Sequence, residues 1–168
     1  HCFRAFSEVD VIDETGSGKS ILKRSLQVFL KAGSQLRSRK YDLVFVGFFG
    51  HFLMPPTRLF TRTPILFHPF ISTFETLIYD RKKAAPNSLA AKTSFLLDRA
   101  AFHAADHLLL DTKANVSCFS EMFDVPDEKF SVVYMGSDER MFFPRPGRED
   151  DPLTVLYHGS SLPLQGSD

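Results

Sequence analysis

Continuous apolar runs alternate with amphipathic stretches along the chain, and this pattern predicts strands that alternate with helices. Three apolar runs, at 42–48, 64–70 and 106–111, are short and lack regular polar positions. Such runs are typical of parallel strands that are covered on both faces. Two further strands are predicted at 8–13 and 131–135. Strands that alternate with helices indicate one parallel sheet.

Helix signals fill the intervals between the predicted strands. Apolar residues recur every three or four positions, and either Ser72 or Thr73 is a candidate helix cap. Glu75 lies three residues after Ser72, which fits a capping box. The predicted helices occupy 20–40, 55–62, 72–83, 88–105 and 112–123. On the fourth helix the predicted buried side comprises Leu89, Phe95, Leu96, Ala100 and either Phe102 or His103.

The order of these elements predicts an α/β fold with a Rossmann-like, doubly wound parallel sheet. Residues 1–144 would form this domain, 145–152 a polar linker, and 153–168 the first strand of a second Rossmann-like domain. The chain opens at His1 inside a predicted helix, so we expect a piece of a longer protein that is cut at both ends. Ligands of such sheets bind outside the carboxyl ends of the strands.

Composition narrows the class of protein. The 168 residues are 43% apolar, and 20 basic residues balance 20 acidic ones. This composition indicates a folded domain, and the absence of a basic excess argues against a nucleic-acid partner. No apolar run reaches the roughly 20 residues that span a bilayer. Cys2 and Cys118 have no metal-ligand spacing and are too few for a disulfide framework.

The segment 13–20 resembles the phosphate-binding loop of NTPases. It reads DETGSGKS between a predicted strand and a helix, and Lys19 and Ser20 would hold a phosphate and magnesium. Asp13, however, stands where the first glycine of the loop is expected, and its carboxylate would face the phosphates. The alternative, which we favour, is a glycine-rich turn that caps the next helix.

Five segments match, in order, the pattern of one enzyme family. YDLVFVGFFGH (41–51) is a strand that ends in Gly-x-x-Gly-His, and PILFHPFISTFETLIYDRKK (64–83) leads from a strand into a helix with Asp-Arg. LDRAAFHAADHLLLDT (97–112) joins a helix to a strand that ends in Asp-Thr. FDVPDEKFSVVYMGSDERMFFP (123–144) and VLYHGSSLPLQG (155–166) follow. Together they resemble retaining glycosyltransferases of the two-Rossmann-domain type, family four.

The resemblance implies an enzyme that transfers a hexosyl group from a nucleotide sugar to a saccharide, a lipid-linked acceptor or a small molecule. It implies retention of configuration, no obligatory metal and no cofactor besides the donor. Cell-surface polysaccharide or glycoconjugate synthesis in the cytoplasm would be its setting, with room for peripheral contact with the inner face of the membrane. The chain would carry mainly the acceptor-side domain and would not catalyse transfer alone.

The resemblance also points to particular residues on the acceptor side. It implies a catalytic role for His68, which could donate to a sugar hydroxyl or move a proton. Gly50 and His51 would form a substrate-binding loop, and Asp80 and Arg81 would orient the acceptor. The alternatives are a backbone-bonded histidine, a tight turn and a surface ion pair, respectively.

Donor contacts are expected near the end of the chain. Gly159, Ser160 and Ser161 lie where a strand-to-helix turn would approach the phosphates of a nucleotide sugar. Gln165 occupies a position that is usually lysine in the family, and the two serines replace a frequent arginine. The resemblance therefore implies a weaker grip on the pyrophosphate, or one supplied from elsewhere.

Two other hypotheses stay open. One is a phosphate-loop NTPase that binds ATP and magnesium through Lys19, and the other is a Rossmann-like binding domain without catalysis. Nucleotide binding that depends on Lys19 would favour the NTPase.

Overall fold

The computed structural model describes residues 3–5, 7–12, 21–48 and 50–143. This part of the chain contains the strands β1 (Val44–Val46), β2 (Ile65–Phe67), β3 (His107–Leu110) and β4 (Phe130–Val132). Its α-helices are α1 (Ile21–Ser38), α2 (Met54–Phe60), α3 (Thr73–Glu75), α4 (Leu89–Ala104) and α5 (Lys113–Phe123). Short 3₁₀ turns occur at Phe3–Ala5, Gly50–Phe52 and Asp127–Lys129, and a π-helical turn, Thr76–Asp80, continues α3.

The four strands form one parallel sheet in the order β1-β2-β3-β4. Val46 pairs with Phe67, Phe67 with Leu108, and Leu108 with Phe130, so neighbouring strands end at the same edge. The predicted α/β class is confirmed, and the all-parallel sheet with its helices is consistent with a Rossmann-like, doubly wound fold.

The core lies between one face of the sheet and helices α2, α4 and α5. Alternate strand residues point to opposite faces, and Ile65, Phe67, Leu108 and Leu110 are buried on this face. The helices contribute Met54, Ala101, Phe102, Phe119 and Phe123. At alternate strand positions Phe45 and Ser131 are exposed, so the buried side chains of the sheet concentrate on one face.

Helix caps explain where several elements begin. The hydroxyls of Ser72, Ser88 and Thr112 each accept a hydrogen bond from the backbone N–H three residues later. These bonds satisfy backbone donors that a first helical turn leaves unpaired. The predicted cap at Ser72 is thereby confirmed, with Glu75 donating its backbone N–H over 3.0 Å.

One expectation about individual elements is wrong, and another is only partly correct. Residues 8–12 form no strand, although the sequence predicts one at 8–13. The buried side of α4 is Ala91, Ser94, Asp98, Ala101 and Phe102. Of the predicted set, Phe102 is confirmed as buried and Phe95 is partly buried against the core, whereas Leu89, Leu96, Ala100 and His103 are exposed. None of the helices in the described ranges is long and apolar enough to cross a membrane.

Candidate functional site

The predicted catalytic residue, His68, lies immediately after β2 at the carboxyl edge of the sheet. Its backbone N–H donates to the Val46 carbonyl oxygen over 2.9 Å, which extends the β1–β2 pairing by one step. The side chain is half-buried. An imidazole at such an edge can donate to or accept from a bound hydroxyl group, as the ligand rule for parallel sheets anticipates.

The ring of Phe70 packs against His68 on the same loop, and Phe70 in turn contacts Phe48 on the loop after β1. The Phe70 ring centroid lies 6.1 Å from the His68 ring and 5.4 Å from the Phe48 ring, both edge to face. Phe70 has a φ of 68°, in the left-handed region that bulky residues rarely occupy. The surrounding structure must hold such a conformation in place, because on its own it costs free energy.

Gly50 and His51 form the 3₁₀ turn that follows β1. A Cβ atom on Gly50 would overlap the Val46 Cγ1 atom, so only glycine fits this close approach. The His51 side chain points into the core, where it is 1% exposed. Its ring packs edge-on against Phe67, with centroids 5.2 Å apart. Substrate binding by His51 stays a prediction, and it would require the imidazole to become exposed.

The His51 imidazole is a buried polar group without a hydrogen bond. Neither ring nitrogen has a partner within the described part of the chain. Its Nε2 atom lies 3.9 Å from the Asp98 carboxylate, which is too far for a hydrogen bond. Burial lowers the pKa of His51, and the charge of Asp98 only partly opposes this shift. The imidazole is therefore neutral at neutral pH.

Asp98 is fully buried in the middle of α4 and accepts hydrogen bonds from the segment that follows β2. Its carboxylate accepts from the Ser72 hydroxyl over 2.7 Å, from the Phe74 backbone N–H over 2.9 Å, and from the Thr73 hydroxyl. Consecutive donors at the start of a helix are a favourable environment for a carboxylate. Asp98 therefore contacts the loop after β2 through Ser72 and lies beside His51 from the turn after β1.

Glu75 is a second, half-buried carboxylate whose pKa responds to the charge of Asp98. Burial, with an added contribution from the Asp98 charge, raises the pKa of Glu75. Its carboxylate accepts no hydrogen bond from any residue that the structure describes, so the capping box is formed only on the side of Ser72. Glu75 is thus more easily protonated than an exposed glutamate.

Asp80 and Arg81 lie at the end of the π-helical turn after α3. The Arg81 N–H donates to the Thr76 carbonyl oxygen over 2.8 Å, which closes the wide turn. Asp80 is buried, whereas Arg81 is exposed, and their charged groups lie 3.2 Å apart. π-Helical turns are frequent at functional sites. The predicted role of this pair in orienting an acceptor stays a prediction.

Asp98 is the site residue that sequence reasoning missed, and Ser72 was predicted only as a helix cap. The Asp98 carboxylate lies on a predicted helix but binds the loop after β2. A signal was present: Asp98 follows Ala91 and Ser94 at the three- and four-residue spacing of one helix face. Because both Ser94 and Asp98 are polar, that face was not recognised as the buried one.

The predicted donor-side residues Gly159, Ser160, Ser161 and Gln165 lie outside the described residues, as does the phosphate-loop segment 13–20. The structure places Gly50 and His51 after β1 and His68 after the neighbouring strand β2, with the His51 side chain in the core and His68 half-buried. Asp80 and Arg81 lie at the end of the turn that follows α3.

Comparison of the sequence with family models and with curated proteins found no match in either case.

Proposed function

We propose that this chain supplies the acceptor-side domain of a retaining, nucleotide-sugar-dependent glycosyltransferase. The enzyme would transfer a hexosyl group to a saccharide, lipid-linked or small-molecule acceptor in the cytoplasm, during synthesis of cell-surface polysaccharide or glycoconjugates. His68 would contact a sugar hydroxyl and assist proton movement.

One observation carries this proposal: His68 stands half-buried at the carboxyl end of β2, the edge at which parallel sheets bind ligands. The ring of Phe70 gives apolar surface beside it, and Phe48 packs against Phe70. Ligand sites combine apolar walls with a few polar groups that fix orientation. The order of the motifs along the sequence supports a sugar as the ligand, since it resembles the glycosyltransferase pattern.

Saccharide binding can be measured at single histidines. The chain would be labelled with ¹³C in its histidine rings and titrated with the methyl glycosides of glucose, galactose and mannose, and then with UDP-glucose and GDP-mannose. We expect at least one of these sugars to move the His68 signal in a saturable way. The same sugar should also shift the Phe70 amide signal, and the His68→Asn variant should lose that shift.

His107 provides the internal control. It is the first residue of β3, at the amino end of the strand, and its Nε2 atom lies 2.8 Å from the Ser131 hydroxyl. Its signal should stay in place throughout the titration. If no sugar moves the His68 signal, or if His107 moves equally, the proposal is wrong. ATP–magnesium binding that is lost in Lys19→Ala would favour the NTPase instead.

A further inference from the structure

The Asp98 carboxylate takes its hydrogen bonds from three consecutive residues where the loop after β2 enters α3, namely the cap Ser72 and the helix residues Thr73 and Phe74. Ser72 and Thr73 donate their hydroxyls, and Phe74 donates its backbone N–H. None of these donors carries a positive charge, and Asp98 itself is 0% exposed. A buried carboxylate depends on such donors, because losing one leaves the charge uncompensated.

The same loop holds His68 and the left-handed Phe70. Ser72 is fully buried, so the loop is fixed at a point only four residues from His68. A residue with an unfavourable φ persists only where its surroundings over-determine the backbone. The three hydrogen bonds to Asp98 provide such a restraint on the carboxyl side of Phe70, and the His68–Val46 backbone bond provides one on the amino side.

We propose that Asp98 is a positioning residue that holds the loop 68–74 so that His68 and Phe70 face a saccharide at the carboxyl edge of the sheet. Asp98 lies in the interior and would not touch the sugar itself. This inference rests on the proposed function, which it deepens by naming the buried group that shapes the acceptor site.

The Asp98→Asn variant tests the effect on the loop without any ligand. Asparagine has nearly the same shape but replaces one acceptor oxygen by an NH₂ donor, which would face the donors of the loop. We expect the His68 ring signals and the Phe70 amide signal to move or broaden in the NMR spectrum. If both signals stay unchanged in the folded variant, Asp98 does not position the loop.

Ser94→Ala is the matched control. Ser94 is buried on the same face of α4, four residues before Asp98, and its hydroxyl donates only within its own helix, to the Ala91 carbonyl oxygen over 3.0 Å. Its removal changes a buried polar group but leaves the loop untouched. The His68 and Phe70 signals should therefore remain where they are in the unmodified chain.

Saccharide affinity separates positioning from general stability. The Kd of whichever methyl glycoside binds the unmodified chain would be measured well below the unfolding temperature of each variant. We expect Asp98→Asn to weaken binding by about tenfold or more, which is about 1.4 kcal/mol, and Ser94→Ala to leave it unchanged. Equal affinity in both variants would overturn the positioning role, even if the loop signals move.

The two proposals can fail separately. If the unmodified chain binds none of the sugars, the proposed function is refuted, and the ligand-free spectra still decide whether Asp98 holds the loop. If Asp98→Asn does not fold, Thr73→Val takes its place, since it removes a single hydroxyl donor at a partly buried position. It should move the same two signals by a smaller amount, and unchanged signals would contradict the inference.

Discussion

The imidazole of His51 and the carboxylate of Asp98 lie 3.9 Å apart in the interior, with no hydrogen bond between them. One comes from the turn after β1 and the other from the middle of α4. Because burial holds the pKa of His51 below 6.5, the ring stays neutral where an exposed histidine would become charged. This difference between the folded and unfolded states makes stability depend on pH.

We expect the free energy of unfolding to fall as the pH is lowered below about 6.5. In that window the unfolded chain binds a proton at His51 and the folded chain does not, so acid favours the unfolded state. The loss would reach at most about 1.4 kcal/mol per pH unit and would end once the pH passes the lowered pKa. Urea unfolding between about pH 7.5 and pH 5.5 measures it.

His51→Phe isolates this contribution from that of other groups such as Glu75. The variant should lose less stability than the unmodified chain over the same pH range, whatever its stability at neutral pH. A pH dependence in His51→Phe identical to that of the unmodified chain would contradict the expectation.

Gly50→Ala should destabilise the protein by about 1–3 kcal/mol, the usual cost of forcing extra atoms into a packed interior. The new methyl group would overlap Val46 Cγ1, and a shift of this turn would also displace the neighbouring His51. Adding Val46→Ala should recover part of the loss. Gly47→Ala is the control, since its Cβ would meet only the Phe45 ring at 3.4 Å. Equal costs at Gly47 and Gly50 would contradict the steric argument.

Phe102→Ala should cost about 3–5 kcal/mol in the free energy of unfolding, the range for large aromatic side chains in cores. Its ring is 0% exposed, and its centroid lies within 6.4 Å of four other phenylalanine rings: Phe67, Phe119, Phe123 and Phe130. Leu89→Ala on the same helix is the control, because Leu89 is 77% exposed. Urea titration should show a change within about 0.5 kcal/mol there.

Local sequence signals predicted the elements well, because caps and apolar runs are local properties. Ser72 and Thr112 mark the starts of their helices, and the central residues of the three apolar runs at 42–48, 64–70 and 106–111 form strands. The segment 8–12 does not form the predicted strand, because apolar residues in a segment do not by themselves provide a neighbouring strand to pair with. Hydrogen bonds to an adjacent strand are what make an extended segment a β-strand.

Local sequence patterns did not predict which polar residues are buried at the candidate site. Asp98 is buried because three donors from another part of the chain surround it, and nothing near it in sequence shows those donors. His51 was predicted as part of a substrate-binding loop, and nothing in the sequence showed that its side chain is buried in the core. Burial of polar groups depends on partners distant in sequence, whereas the position of His68 followed from the end of its strand.

Asp106 and Arg58 connect β2, α2 and α4 by hydrogen bonds at the amino edge of the sheet. Its carboxylate accepts from the Ile65 backbone N–H over 2.7 Å and from the guanidinium of Arg58, which also donates through Nε to the Ala104 carbonyl oxygen over 2.9 Å. Burial alone would raise the pKa of Asp106, but the Ile65 N–H and Arg58 outweigh it and hold that pKa below its usual range. The folded state therefore favours the charged carboxylate.

Asp106→Asn should lower the free energy of unfolding by about 1 kcal/mol at neutral pH, since the bonds are charge-assisted but partly exposed. A carboxyl group with a lowered pKa stabilises the fold above its unfolded pKa of about 3.9, and this contribution is lost as the pH falls through the folded value. The stability deficit of Asp106→Asn should therefore shrink when the pH is lowered from neutral to below about 3.9. Asp42→Asn is the control: Asp42 is also exposed and precedes a strand, and no hydrogen bond or ion pair reaches its side chain within the described residues. Urea titrations at both pH values measure these differences. If Asp42→Asn loses as much stability as Asp106→Asn, or if the Asp106→Asn deficit persists in acid, the ionised carboxylate is not the source of the stability.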